Sequence, residues 1–188
     1  MKQYRLNHSQ MRIYLEEKKN PGTSLWNVPY ALRIHKGIDI DKMKNIILNL
    51  LSENEIFKVN IIEQDDGIWQ VINNQQREEV LFYDFTDDGE EKKWKLWAAD
   101  EARKPVDIMG EKLYRITLVK INDRNYGIMF LAHHIIMDGS SASLFIQKIV
   151  KAYEDRDVKA DSSLCKGTEF YDFSVEEDFL IIKFEDGK

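Results

Sequence analysis

Apolar and polar residues along this chain follow two periods, and each period marks one kind of element. From Trp26 to Ile34 the apolar positions Trp26, Val28, Tyr30, Leu32 and Ile34 alternate strictly, which predicts a half-buried strand. Met43, Ile46, Ile47, Leu50 and Leu51 instead recur at helical spacing, which predicts a helix from a cap at Asp39 or Asp41 to about Asn54. The same spacing joins Met11, Tyr14 and Leu15 in a short helix over Ser9 to Lys18, capped by Ser9 and stopped by Asn20-Pro21-Gly22. It also puts Ala142, Phe145, Ile146, Ile149, Val150 and Tyr153 on one face of a long helix from Gly139 to about Glu154, with Ser140 or Ser141 as cap.

Between these lie strand signals. Ile56 to Ile62 and Ile68 to Ile72 flank Gln64-Asp65-Asp66-Gly67, whose Asp-Gly favours a tight hairpin. Val80 to Phe85 reads as a short strand. A charged segment then runs to Arg103 as a surface helix with a narrow stripe of Trp94, Trp97 and Ala98, ended by Pro105. Leu113 to Ile121 and Tyr126 to His133 are the strongest strand signals and are expected to pair antiparallel across the four turn residues Asn122 to Asn125. Residues 155 to 168 read as a connecting loop, and Phe179 to Phe184 as a last strand whose partner the sequence does not identify. The sum is an α+β layer of largely antiparallel strands with amphipathic helices packed on them.

Composition narrows the function classes. At 188 residues and 43% hydrophobic the chain holds one compact, soluble domain. No apolar run approaches the roughly 20 residues a membrane span needs, and the polar start lacks the pattern of a secretory leader, so a cytoplasmic location is the expectation. A formal charge of −6, with basic residues interleaved among acids, argues against a nucleic-acid partner. The single Cys165 has no Cys or His neighbours, and no metal site is expected.

Candidate chemistry concentrates at one junction. In Phe130-Leu-Ala-His-His-Ile-Ile-Met-Asp-Gly139 two histidines end an apolar strand, and an aspartate and a glycine open the following helix. Strand ends are rigid yet open to clefts, and an imidazole there suits a reaction in which an amine or hydroxyl attacks a carbonyl. Consecutive strand residues face opposite sides, so one of His133 and His134 packs and the other meets the cleft; alternation alone does not say which. Asp138 is expected to pair with Arg115, the one arginine in the first of the two strong strands. Trp26, Trp69, Trp94 and Trp97 sit in separate elements and read as packing residues. Ser140, Ser141 and Ser143 lack the Gly-x-Ser-x-Gly elbow of a serine hydrolase.

His133-His134-Ile135-Ile136-Met137-Asp138-Gly139 resembles the HHxxxDG signature of condensation domains of nonribosomal peptide synthetases, members of the chloramphenicol-acetyltransferase-like acyltransferases. Other segments fall in family order. Ser9-Gln10-Met11-Arg12 resembles the opening AQxR element, Trp26-Asn27-Val28-Pro29 the Tyr-Asn-Ile-Pro strand, and Lys112 to Ile116 the strand whose arginine meets the motif aspartate. Glu53 to Lys58 falls where the family has an Arg-His-Glu…Leu-Arg run; Glu55 is kept, and Lys58 replaces an arginine.

The resemblance implies that residues 1–188 are the N-terminal lobe of a condensation domain, one lobe of a chloramphenicol-acetyltransferase-like fold, with the C-terminal lobe absent. It further implies amide-bond formation in a tunnel between lobes, reached by phosphopantetheine arms of two carrier proteins, with no bound cofactor. His134 is then the catalytic residue, supported by His133, Asp138, Gly139 and Arg115. The half alone is expected to be inactive. Two rivals share part of the pattern: a relative that takes its acyl group from coenzyme A, which the extra His133 disfavours, and a non-catalytic module that docks carrier proteins.

Overall fold

The computed structural model describes residues 2–86, 90–110, 112–155, 168–172 and 180–183. Among them the order is β1 Gln3–Arg5, α1 His8–Lys19, β2 Asn27–Ile34, α2 Ile40–Glu53, a 3₁₀ turn Glu55–Lys58, β3 Val59–Gln64, β4 Gly67–Ile72, β5 Leu81–Asp84, α3 Glu90–Arg103, β6 Tyr114–Asn122, β7 Asn125–His133, α4 Gly139–Asp155, β8 Thr168–Asp172 and β9 Leu180–Lys183. The expected loop at 155–168, and Cys165 within it, lie almost wholly outside the described residues. Leu180–Lys183 does form a strand, and its partner is β8.

Two sheets result. A small one has the order β1-β4-β3, and its β3–β4 hairpin turns at Asp65-Asp66 into Gly67, whose φ of 138° suits only glycine. The large sheet has the order β5-β6-β7-β2-β8-β9, antiparallel throughout except where β5 runs parallel to β6. The α+β expectation with a mixed, largely antiparallel sheet therefore holds. The β6–β7 turn is tighter than expected, because Asn122 and Asn125 already pair and only Asp123 and Arg124 lie between them.

Helices cover both faces of the large sheet, and this corrects two sequence expectations. On one face Tyr30, Leu32, Ile34, Tyr114, Ile116, Leu118, Ile128 and Phe130 pack with Met43, Ile46 and Ile47 of α2 and Phe145, Ile146 and Ile149 of α4. On the other, Ala31, Val119, Ile121 and Met129 pack with Trp94, Ala98 and Ala102 of α3. So β2 is buried on both sides from Val28 onward, not half-buried. The small Ala31 escapes an alternation count because a helix lies directly on it. Likewise α3 is no mere surface helix, since Trp94 is only 1% exposed.

Trp94 lies so close to the sheet because β7 has no side chain beneath it. A Cβ built on Gly127 would come within 2.8 Å of both Cζ2 and Cη2 of the indole. Gly127→Ala is expected to destabilise the fold by about 2 kcal/mol, the usual size of an overpacked core. Denaturant midpoints check this, and Trp94→Phe, which removes the ring edge in question, should recover part of the loss.

The first helix shows how a cap is chosen. Asn7, rather than the expected Ser9, takes the position: its side chain accepts the Gln10 N–H at 2.9 Å, and Gln10 Oε1 accepts the Asn7 N–H at 3.0 Å. That reciprocal capping box satisfies two helix-end donors at once. In the second helix Asp39 is the cap, accepting the Lys42 N–H at 2.9 Å. No helix among the described residues is long and apolar enough to cross a membrane.

Candidate active site

The two histidines part company where β7 ends. His133 closes the strand, its N–H donating to the Leu113 carbonyl at 2.8 Å, and its ring turns inward, 1% exposed. A tight turn follows, with the Ile136 N–H bonded to the His133 carbonyl at 3.1 Å. His134 is thereby swung out of the sheet and is exposed. Its N–H bonds the Trp26 carbonyl at 2.8 Å, and its ring meets the Trp26 indole edge-on, at 90° and 5.9 Å between centroids. The ambiguity that alternation left open is resolved: His133 packs and His134 is presented.

Trp26, one of the tryptophans expected to serve in packing, lies against the exposed His134 ring. That position follows from register. Asn27 stands opposite His133, so the next positions outward, Trp26 and His134, adjoin at the sheet end. Asn27 itself serves α3, donating through Nδ2 to the Ala102 carbonyl at 2.7 Å and the Lys104 carbonyl at 3.0 Å.

Asp138 opens α4. Its carboxylate accepts the Ser141 N–H at 2.7 Å and its carbonyl the Ala142 N–H at 3.0 Å, so Asp138, not Ser140 or Ser141, is the cap. The hydrogen bonds from Ser141 hold its carboxyl below the ordinary aspartate range. Gly139 follows, its carbonyl accepting the Tyr30 hydroxyl at 2.8 Å. The tyrosine oxygen would lie 3.3 Å from a Cβ at that position.

The expected Arg115–Asp138 pair is not formed. Arg115 donates to the Lys104 and Pro105 carbonyls at 2.6 and 3.0 Å, closing the chain just beyond α3. The reason is alternation along β6: Tyr114, Ile116 and Leu118 face α2 and α4, which puts Arg115 on the α3 side, across the sheet from the helix that Asp138 caps. Arg115 thus supports the outer layer and does not meet the histidine turn through Asp138. Lys58, where the resemblance expects an arginine, donates to the Ser52 carbonyl near the end of α2.

Beneath the turn, His133 is fixed in one tautomer. Its Nδ1 accepts the Ile135 N–H at 3.1 Å, so the ring proton resides on Nε2. Burial, with a smaller push from the neighbouring His134, lowers its pKa to about 4. Nε2 points toward Glu17 Oε2 of α1 at 3.9 Å, and both atoms are buried without a hydrogen-bond partner. Burial, and then the negative charge of Asp107, raises the Glu17 carboxyl above its ordinary range.

A raised carboxyl pKa means that the Glu17 contribution is complete below about 4.5 and is lost as pH rises through the folded-state value. Glu17→Gln removes that cost. It is expected to stabilise the chain by about 1 kcal/mol at pH 7, with the gap from wild type closing toward pH 4. Urea midpoints measured at both pH values check it.

Residues 1–183 match the family model of the condensation domain. The chain belongs to the condensation-domain family. Among curated relatives it is 29% identical over 156 residues to bacitracin synthase 1 of Bacillus licheniformis, a match covering 83% of this chain and 3% of that protein. It is 24% identical over 151 residues to surfactin synthase subunit 1 of Bacillus subtilis, covering 80% of this chain and 4% of that one.

Solved condensation domains share its fold. The starter condensation domain of the rhizomide synthetase RzmA superposes with a TM-score of 0.76 at 22% identity, over 88% of this chain and 40% of that one. The first condensation domain of the CDA synthetase gives 0.73 at 15% identity, over 87% and 43%. The chain therefore spans about two fifths of the solved condensation domains it resembles and a few per cent of the synthetases.

Proposed function

We propose that residues 1–188 are the N-terminal lobe of a condensation domain that joins a carrier-bound acyl or aminoacyl thioester to a carrier-bound amine, with His134 as its catalytic residue. The observation that carries this reading is the exposed His134 imidazole at the end of β7, held edge-on by Trp26, with its backbone N–H bonded to the Trp26 carbonyl. The family supplies the reaction class, and the geometry supplies a fixed, accessible nitrogen.

In the reaction the acceptor amine attacks the thioester carbonyl, the new C–N bond forms as the C–S bond breaks, and the amine proton passes to the released phosphopantetheine thiol. His134 meets the amine, accepting its proton or a hydrogen bond from it. His133, neutral and buried, sets the backbone from which His134 projects, and Asp138 fixes the start of α4. The partners are the two carrier proteins and a C-terminal lobe that forms the far wall of the channel.

The test is reconstitution. The chain is mixed with a matching C-terminal lobe and two loaded carrier proteins, and amide product is followed by mass spectrometry. The proposal expects product from the complete mixture, little without the added lobe, and little from His134→Ala. Equal product from wild type and His134→Ala would overturn the catalytic assignment, and carrier binding without any amide would favour a docking module.

A further inference from the structure

The turn that carries His134 is bonded not only to its own sheet but also to α1. Gln10 Nε2 donates to the Ile135 carbonyl, the residue directly after His134, at 3.1 Å. The same amide faces Gln70 of β4 in a reciprocal pair: Gln10 Nε2 to Gln70 Oε1 at 3.3 Å, and Gln70 Nε2 to Gln10 Oε1 at 3.4 Å. Its oxygen also accepts the Asn7 N–H in the capping box. One partly buried side chain thus ties the N-terminus of α1, the small sheet and the histidine turn of the large sheet together.

A second contact of the same helix points the same way. Gln10 and Glu17 are seven residues apart, two turns along one face of α1. The first reaches the residue after His134, and the second lies beneath the ring of the residue before it. Ile13 and Tyr14, between them, pack with Ile135 in one buried cluster.

We propose that Gln10 is a positioning residue for His134, locking the turn so that the imidazole is presented in one orientation. The proposal rests on the reading of His134 as the catalytic residue, yet its structural half is testable without catalysis. Hydrogen bonds that fix a catalytic side chain from behind act on rate rather than on substrate binding, because misplacement of the reacting group lowers the share of productive complexes.

The discriminating variant is Gln10→Glu. It keeps an oxygen for the Asn7 N–H, and an acidic residue suits a helix N-terminus, so α1 is preserved. It loses only the N–H donors, leaving the Ile135 carbonyl facing a carboxylate. Two measurements follow.

In the 188-residue chain, amide hydrogen exchange at Ile135 and Ile136 should speed up about tenfold, as expected when a bond holding the turn is lost, while exchange within α1 stays within about twofold. In the chain reconstituted with its C-terminal lobe, kcat should fall by about tenfold with KM for the acceptor carrier within about twofold. Gln70→Leu, which leaves the Ile135 bond in place, should give a smaller change in both.

Unchanged exchange at Ile135 and Ile136 would overturn the proposal whatever the activity. So would unchanged kcat in Gln10→Glu where His134→Ala is inactive, with the functional reading left standing. A fully active His134→Ala would instead remove the functional reading, and with it the catalytic purpose of the lock, while the exchange result would still decide whether Gln10 holds the turn.

Discussion

Alanine at position 134 is expected to slow amide formation by about 10²- to 10⁴-fold, the usual contribution of a positioned proton-transfer group. That corresponds to roughly 3 to 5 kcal/mol of barrier, far more than any effect of the change on the fold. The His134 ring is exposed and touches the indole of Trp26, while its backbone N–H keeps its bond to the Trp26 carbonyl whatever the side chain. Stability of His134→Ala should therefore stay within about 0.5 kcal/mol of wild type. His134→Gln adds a distinction: a neutral amide that accepts a hydrogen bond restores rate if the imidazole anchors the amine, and restores nothing if it takes the proton. Single-turnover rates with loaded carriers separate these.

The second large effect is a loss of stability in acid, and it arises at His133. The imidazole titrates near 6.5 when exposed and near 4 in the fold, so between those values the unfolded chain binds more protons. Stability contributed by His133 is complete above pH 6.5 and is lost as pH falls toward 4, by about 3 kcal/mol in full. Geometry gives the same sign. A protonated Nδ1 would confront the Ile135 N–H that it now accepts, so charging the ring breaks the turn that presents His134.

Glu17 works in the opposite direction over part of this range, because its raised carboxyl favours the fold as pH falls. The acid loss is therefore read most cleanly in Glu17→Gln, as urea midpoints from pH 7 to pH 4. A flat profile in that variant would show that His133 takes up its proton without strain. An accompanying loss of the edge-on ring-current shift from Trp26 at His134 would tie the titration to the turn that carries His134.

Much of this site could be read from the residues alone, and what could not has a physical reason. The strands β6 and β7 were legible because segments rich in apolar and β-branched residues flank a polar turn, and the motif placed His133 and His134 at the end of one of them. The division of labour between the two histidines was not, because both faces of β7 are covered by helices and both rows are apolar. Only the turn after His133 separates them.

Arg115 shows how a motif-level pairing fails against strand alternation. Its neighbours Tyr114 and Ile116 pack with α4, so Arg115 itself must face α3, where it meets the Lys104 and Pro105 carbonyls. The contact of Trp26 with His134 was not legible for another reason. Its place beside His134 depends on the pairing of β2 with β7, strands nearly a hundred residues apart along the chain, and no local pattern carries that register. Glu17 was hidden similarly, and Gln10 stood out only within the AQxR-like element with no contact attached to it, since a helix stripe shows which residues are apolar but not which polar residue on that face reaches a distant turn.

The measurement that most directly tests the central claim uses the acceptor arm itself. A carrier protein is loaded with a phosphopantetheine arm ending in an alkyl halide in place of the amine, the reconstituted two-lobe domain is incubated with it, and the alkylated residue is mapped by peptide mass spectrometry. The account predicts modification of the His134 imidazole, abolished in His134→Ala. Alkylation of another residue with His134 unmodified would place the reacting centre elsewhere and contradict it.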